Sequence, residues 1–379
     1  MKILLVVDQY DGANNGNTVT ARMLAKTLEK HGHEVMIACG GDPAPYKFRF
    51  EHWKFPVFEK LVKSQGFSFA APDEKMMRTA FEWADLVHVL MPFRIGRQAA
   101  IMAEQMGKPC TGAFHMVPTG MWSSVHLGWC IPLDTATYWY WKHYIYKHFH
   151  YVHCPSQMVK DELIKHHYNC DVHAISNGIN SDFQYRKKEK TPELQGKFVI
   201  VMSGRFSKDK GHEYIMKAMR YSKHRDEIQL YFAGQGPIKE KLEKIAREEN
   251  LNVIMRFHTR QELMDLFAMA DLYVHSSMAE TESLGCMEAF AAGLVPVIHE
   301  SKRSATTQFA LTEHNLFKFK DSKDLAAQID WWIEHPEERR EMEKKYAEYA
   351  KNFDVDKCVT KMEEMFQLEM DRVKGKAAN

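Results

Sequence analysis

Short runs of Val, Ile and Leu recur along the chain with helix-period segments between them, and few folds satisfy that alternation. Residues 3–7 (Ile-Leu-Leu-Val-Val) lead through polar residues 8–18 into a stretch that places Val19, Met23, Leu24 and Leu28 on one helical face. Similar runs follow at 34–39, 85–90, 110–115, 151–155 and 172–176, and again at 198–203, 229–234, 271–276 and 295–299. A run that is apolar at every position is a strand covered on both faces, and such strands separated by helices make parallel α/β sheets. The chain, at 379 residues, has room for two sheets, and the charged stretch 186–192 (Arg-Lys-Lys-Glu-Lys-Thr-Pro) interrupts the alternation midway. We expect two Rossmann-like domains, 1–190 and 191–355, facing each other across a cleft. A C-terminal helix over 356–379 is expected to return to the first domain.

Charge excludes one class of partner. The 51 Lys and Arg offset 50 Asp and Glu, leaving +1 and no global field to hold nucleic acid. The apolar runs fall far short of the ~20 residues that span a bilayer, and Asp8 cuts the first one before a signal-peptide core forms, so a cytoplasmic location is expected. The 7 cysteines are scattered without a Cys-x-x-Cys pair, which suggests neither a disulfide framework nor a zinc site. The Asp-x-Asp at Asp354-Val355-Asp356 lies deep in the tail and reads as helix capping, not as metal chelation. No metal and no cofactor are expected.

Two segments suit an anionic, sugar-bearing ligand. The run 198–203 opens into Gly204-Arg205-Phe206-Ser207-Lys208-Asp209-Lys210-Gly211 and then a helical stretch. A strand, a cationic loop bracketed by glycines and a helix amino terminus can converge on a diphosphate, although two solvated cations in an ordinary turn would look alike. The run 271–276 is followed by Glu280-Thr281-Glu282-Ser283-Leu284-Gly285-Cys286-Met287-Glu288. Carboxylates beside a strand end can accept from sugar hydroxyls, while loop amides between them face a phosphate. Dinucleotide and P-loop motifs are absent.

In this order the segments resemble the retaining, nucleotide-sugar-dependent glycosyltransferases of family 4, which have the GT-B fold. The resemblance spans nearly the whole chain: the Gly16 loop, Gly32-His33-Glu34-Val35, Ala84-Asp85-Leu86-Val87, Pro155-Ser156, Asn177-Gly178-Ile179, Gly204-Arg205 with Lys210-Gly211, Gly234-Gln235-Gly236-Pro237, and Glu280 to Glu288. It implies that Arg205 and Lys210 hold the donor diphosphate, Glu288 the ribose, and Glu280 the transferred sugar. Gly16, Asn17, Gly204, Ser283 and Leu284 would complete the donor site. Where the family often carries Gly-Phe-Gly, this chain has Thr281-Glu282-Ser283, which leaves the donor sugar open. Thr281 resembles the wording of diacylglycerol glucosyltransferases and leans the acceptor toward lipid.

On the acceptor side, His115 follows the run that begins at Cys110, at the carboxyl end of a strand, where a near-neutral pKa would let it exchange a proton. Family members that act on lipid-linked acceptors commonly show Phe-His followed by Pro, as in Phe114-His115 and Pro118 here, which implies a catalytic role for His115. Met116, Met121 and Trp122 offer an apolar rim that suits a lipid or a core. Residues 43–67 interleave aromatics, Trp53 among them, with Lys54, Lys60, Lys63 and other cations, which suits an anionic membrane surface or a loop packed over the domain. Residues 138–144 (Tyr-Trp-Tyr-Trp-Lys-His-Tyr) are a second aromatic-basic segment. The expected activity is transfer of glucose or galactose from a UDP-sugar to a lipid hydroxyl, as in diacylglycerol or ceramide, with the enzyme peripheral to the inner face of the membrane. The alternatives are an oligosaccharide acceptor on the same fold and a catalytically silent sugar- or nucleotide-binding protein.

Overall fold

The protein is described from a computed structural model, which covers residues 1–11, 16–54, 59, 67–124 and 130–377. It forms two compact units, Met1–Gly178 with Val355–Asn379, and Ile179–Asp354. The first division falls 12 residues before the expected 190, because the charged stretch is bound to the second unit. There Lys188 N–H donates to the Ala268 carbonyl, Lys190 pairs with Asp271 at 2.5 Å, and Phe183 packs on Phe267.

In the first unit the described strands are β1 (Lys2–Gln9), β2 (Glu34–Gly40), β3 (Lys47–Phe50), β4 (His52–Trp53), β5 (Phe69–Ala70), β6 (Leu86–Val89), β7 (Cys110–Ala113), β8 (Tyr151–Cys154) and β9 (Asp171–Ala174). The main sheet runs β3-β2-β1-β6-β7-β8-β9 with parallel neighbours, and β4 and β5 form a separate antiparallel pair. Alternate side chains of β1 enter opposite cores, as a two-residue period requires. Leu4 and Val6 pack with Met77, Phe81, Ile95 and Trp141, whereas Ile3, Leu5 and Val7 pack with Leu24, Leu28 and residues of the helix Val355–Ala377. That last helix buries Cys358, Val359, Met362, Met365 and Phe366, a spacing of three and four that makes one apolar stripe. Removing the fully buried Phe366 ring would cost ~3–5 kcal/mol.

In the second unit the strands are β10 (Phe198–Ser203), β11 (Ile228–Ala233), β12 (Val253–Arg256), β13 (Leu272–His275), β14 (Pro296–His299) and β15 (Leu316–Phe317), in the order β12-β11-β10-β13-β14-β15 with parallel neighbours. The chain builds outward from β10 through β11 to β12, then restarts on the other side at β13. The reversal lies between β10 and β13, and in open parallel sheets ligands bind beyond the carboxyl ends of the strands at such a reversal.

Candidate functional site

Both segments expected to bind phosphate leave this reversal, one after β10 and one after β13, and the backbone ties them together. Ser276 Oγ donates to the Lys210 carbonyl at 2.8 Å, and Met278 N–H donates to the Asp209 carbonyl at 2.8 Å. Gly211 has φ +72, and a Cβ there would sit 2.5 Å from the Ser276 carbonyl oxygen, so only glycine lets the loops meet. The third motif braces the first from behind. A Cβ on Gly234 would lie 1.9 Å from the Gly204 oxygen, and one on Gly236 2.4 Å from the Phe206 oxygen. Phe206 N–H also donates to the Gln235 carbonyl at 3.0 Å.

The side chains converge as well. Lys210 Nζ donates to Glu280 Oε1 at 2.5 Å, and His275 Nε2 lies 3.7 Å from the same oxygen. Burial works against both charges of the pair. Their mutual attraction, helped by Asp209 on Lys210 and by a Ser277 hydrogen bond on Glu280, outweighs it, raising the Lys210 pKa and lowering that of Glu280. Burial pushes His275 down to about 4, so it is neutral at physiological pH. Arg205 is half-buried, and burial lowers its pKa against the opposing pull of Asp209, leaving it an ordinary permanent cation.

Glu288 stands apart from the ion pair. It lies in the helix Leu284–Ala291, and burial, only partly offset by Arg260, pushes its carboxyl up to about 7. The helix begins at Ser283, which holds φ +82 without a side-chain cap, a conformation that L side chains adopt at a cost of ~1–3 kcal/mol. The amides at this helix start therefore point out of a loop whose shape the strained residue fixes, and they suit an anion. Leu284 packs partly buried against the core, and a Cβ on Gly285 would lie 2.8 Å from Ser203 Oγ. Glu282, at 2 % exposure, is turned inward, so its carboxylate is not displayed in place of bare backbone. His275 and Ser277 were not singled out from sequence, although β13 ends at His275 and the strand-end rule that selected His115 applies equally there.

In the first unit His115 follows β7 and is 8 % exposed. Its ring lies 5.0 Å from that of His153, whose Nε2 bonds the Ile175 carbonyl oxygen at 2.7 Å, and His88 lies beyond, 6.3 Å from His153 and bonded to Thr111. Burial, reinforced by His153 and His88, holds His115 well below the usual histidine range. The expectation of a near-neutral pKa fails: the ring is a neutral hydrogen-bonding group and a weak base. It lines a small pocket with Thr20, Ser176, Asn177 and Cys358. Gly16 and Asn17 begin the helix Gly16–Lys30, where Gly16 is exposed and a Cβ on it would meet no atom within 4 Å, so packing does not require glycine there. Asp8, read from the sequence only as the end of the first apolar run, is fully buried, with Oδ1 accepting from Ala70 N–H and burial raising its pKa to about 7.

The expected membrane residues separate. Trp53 is half-buried, with Arg94 4.6 Å above its ring and Phe69 at 5.8 Å, so it is engaged within its own unit. Lys54 is exposed, and Lys60 and Lys63 lie outside the described residues. Trp122 donates from Nε1 to Thr137 Oγ1 at 3.0 Å, which ties the helix Pro118–Ser124 to the helix Ile131–Tyr144 and is a packing role. Among the described residues no helix is long and apolar enough to cross a membrane.

Comparison with known proteins agrees with this geometry. The family model for glycosyl transferases group 1 matches residues 183–353, and that for glycosyltransferase family 4 matches residues 14–183. A GDP-mannose-dependent alpha-mannosyltransferase of Corynebacterium glutamicum is 24 % identical over 311 residues, covering 79 % of this chain and 72 % of its own. An alpha-monoglucosyldiacylglycerol synthase of Streptococcus pneumoniae is 24 % identical over 326 residues, covering 79 % and 71 %. The structure of Anabaena HepE in complex with UDP and glucose superposes with a TM-score of 0.75 at 17 % identity, over 97 % of this chain and 99 % of that one. The glycosyltransferase WaaG superposes at 0.68 with 16 % identity, over 96 % and 99 %.

Proposed function

The chain belongs to the GT-B glycosyltransferases of group 1 and family 4, and on that premise we propose that it is a retaining hexosyltransferase using a UDP-sugar donor and a membrane-lipid hydroxyl as acceptor. The observation that carries the donor side is the meeting of Lys210, from the loop that also carries Arg205, with Glu280, three residues before the cap of the helix Leu284–Ala291, at the reversal of the second sheet. Two cations and a helix amino terminus meet the diphosphate charge, Glu280 accepts from hydroxyls of the sugar, and Glu288 accepts from the ribose. Lys210 then has two jobs, holding Glu280 in place and binding phosphate. Because these cations supply the countercharge, the reading needs no metal ion.

In the reaction, the bond from the anomeric carbon to the β-phosphate oxygen breaks while a bond to the acceptor oxygen forms on the same face. The acceptor proton passes to the departing phosphate oxygen, and Arg205 and Lys210 stabilise the charge that develops there. His115, being neutral, is assigned a hydrogen bond to substrate hydroxyls and not proton abstraction. The lipid acceptor is supported by Thr281 and by the glucosyldiacylglycerol synthase among the relatives; the mannosyltransferase among them supports GDP-mannose as a second donor candidate. The test is thermal stabilisation by UDP, UDP-glucose, UDP-galactose and GDP-mannose, followed by transfer of radiolabelled sugar to extracted lipid. Stabilisation by none of them, or by UDP unchanged in Arg205→Ala and Lys210→Ala, would refute the donor site; label entering only water-soluble glycan would refute the lipid acceptor.

A further inference from the structure

We infer that the solvent face of the helix Ile131–Tyr144 is a docking surface for an anionic lipid bilayer. The inference rests on the lipid-acceptor reading above and moves the contact away from residues 43–67. The helix is apolar on both sides. Tyr138 and Trp141 point inward, each 4 % exposed, and pack against Phe114. The opposite face consists of Ile131, Pro132, Thr135, Ala136, Trp139, Tyr140, His143 and Tyr144, all exposed. These are successive pairs four residues apart, so they form one stripe along the whole helix, about 20 Å long at 1.5 Å per residue. The stripe contains no Asp, Glu, Lys or Arg, in a chain where such residues make up 27 %.

Ile131 is 65 % exposed, Trp139 56 %, Tyr140 47 % and Tyr144 42 %. Tyr140 and Tyr144 stack on each other at 4.8 Å, and Trp139 lies 4.7 Å from His143, so the rings are pre-arranged along the surface. A helix apolar all round is ordinarily buried, and one whose outer face carries Trp and Tyr suits the headgroup layer, where amphipathic rings have both an apolar and a wet neighbour. The flanks supply the matching charge. Arg97 and Lys147 are exposed and Lys142 half-exposed, and Arg97 Nε bonds the Tyr144 carbonyl oxygen at 3.1 Å, which fixes one cation at the stripe's end. The nearby acids are occupied: Asp134 accepts from Thr119, and Glu104 pairs with His148 at 2.9 Å. A second copy of the chain is a poorer occupant, because a two-fold contact would bring these cations against themselves.

The test is co-sedimentation of the full chain with vesicles of phosphatidylcholine alone and of phosphatidylcholine with phosphatidylglycerol, at low and high salt. Wild type is expected to bind the anionic vesicles with salt sensitivity. Trp139→Ala with Tyr144→Ala should reduce partitioning at least tenfold, and Lys147→Glu at least fivefold, on the scale of one basic residue near anionic lipid. All these side chains are surface residues, so donor-induced thermal stabilisation should stay at the wild-type level and report an intact fold. Transfer to a detergent-dispersed acceptor by a variant that no longer binds vesicles supports both readings. Vesicle binding without transfer to any lipid leaves the surface standing and removes the lipid acceptor. Binding unchanged by the substitutions, or a concentration-dependent dimer that they abolish, overturns the inference.

Discussion

Donor affinity measured across pH 6 to 8 reads the Glu288 carboxyl. Burial has raised it to about 7, from 4.5 for a free glutamate, so holding it ionised in the empty site costs roughly 3 kcal/mol. The ribose hydroxyls can donate to the carboxylate and not to a protonated acid in the same way, so donor binding selects the ionised form. With a pKa near 7 the group is about one-tenth ionised at pH 6 and about nine-tenths at pH 8, which predicts donor binding roughly tenfold weaker at pH 6, or ~1.4 kcal/mol. Binding must also release a proton near pH 7. UDP-glucose is the appropriate probe because its diphosphate is a diester that does not titrate in this window. Calorimetry in buffers of differing ionisation enthalpy gives both affinity and proton release. Glu288→Gln should bind about tenfold more weakly at pH 8, bind nearly as wild type at pH 6, and release no proton, raising donor KM more than it lowers kcat. A wild-type affinity flat across the range, or the same slope in the Gln variant, refutes the assignment.

Gly211→Ala should destabilise the second unit by ~1–3 kcal/mol and weaken UDP binding, since the new Cβ meets the Ser276 carbonyl at 2.5 Å; unchanged melting and affinity would contradict the loop packing. His115→Ala should lower kcat by ~10²-fold with UDP affinity intact, and the wild-type rate should show no loss assignable to this ring between pH 8 and 6, because it is already neutral; near-normal transfer by the folded variant would leave it a core residue. Burial is the largest single influence on His31 and opposes its charge, but its hydrogen bonds to the Glu363 and Asp356 carboxylates and their attraction together outweigh it and raise its pKa. The stability gained from this pair of contacts is therefore full below ~6.5 and lost as pH rises through the folded value. The melting difference between wild type and His31→Gln should shrink from pH 6 to pH 9, and a constant difference would show that the contacts are not ionic. EDTA should leave transfer unchanged; loss of activity restored by Mg²⁺ would require a metal to share the diphosphate with Arg205 and Lys210.

What the sequence disclosed follows how completely each element is buried. β1, β6, β10 and β13 were legible because every residue from Ile3 to Val7, for example, faces one of two cores, which forces an unbroken apolar run. β3, in which Lys47 and Arg49 alternate with two phenylalanines, and β12, partly exposed throughout, are edge strands whose composition is mixed. The two segments proposed to bind phosphate could be read singly, but not their union. Lys210 and Glu280 stand 70 residues apart, and only the ordering of β10 beside β13 makes them neighbours. The same limit explains His115, whose acidity is set by burial and reinforced by rings on two other strands, and Trp53, whose ring is occupied by Arg94. Residues 138–144 read as aromatic and basic, yet which rings face outward depends on helix phase against Phe114.

The chain leaves the first unit after Gly178 and re-enters it at Val355, and those two points touch: a Cβ on Gly178 would lie 2.7 Å from the Val355 Cα. Just beyond them, Ile179 N–H donates to the Phe353 carbonyl at 2.7 Å. In genetic terms the second unit is an insertion whose ends lie side by side. On the ribosome it is therefore synthesised complete while its host still lacks the segment that covers Ile3, Leu5 and Val7. A frameshift or stop just past residue 354 would spare every donor-binding residue assigned to the second unit and yet leave the host with an open apolar face, so residues 355–379 are what closes the first unit.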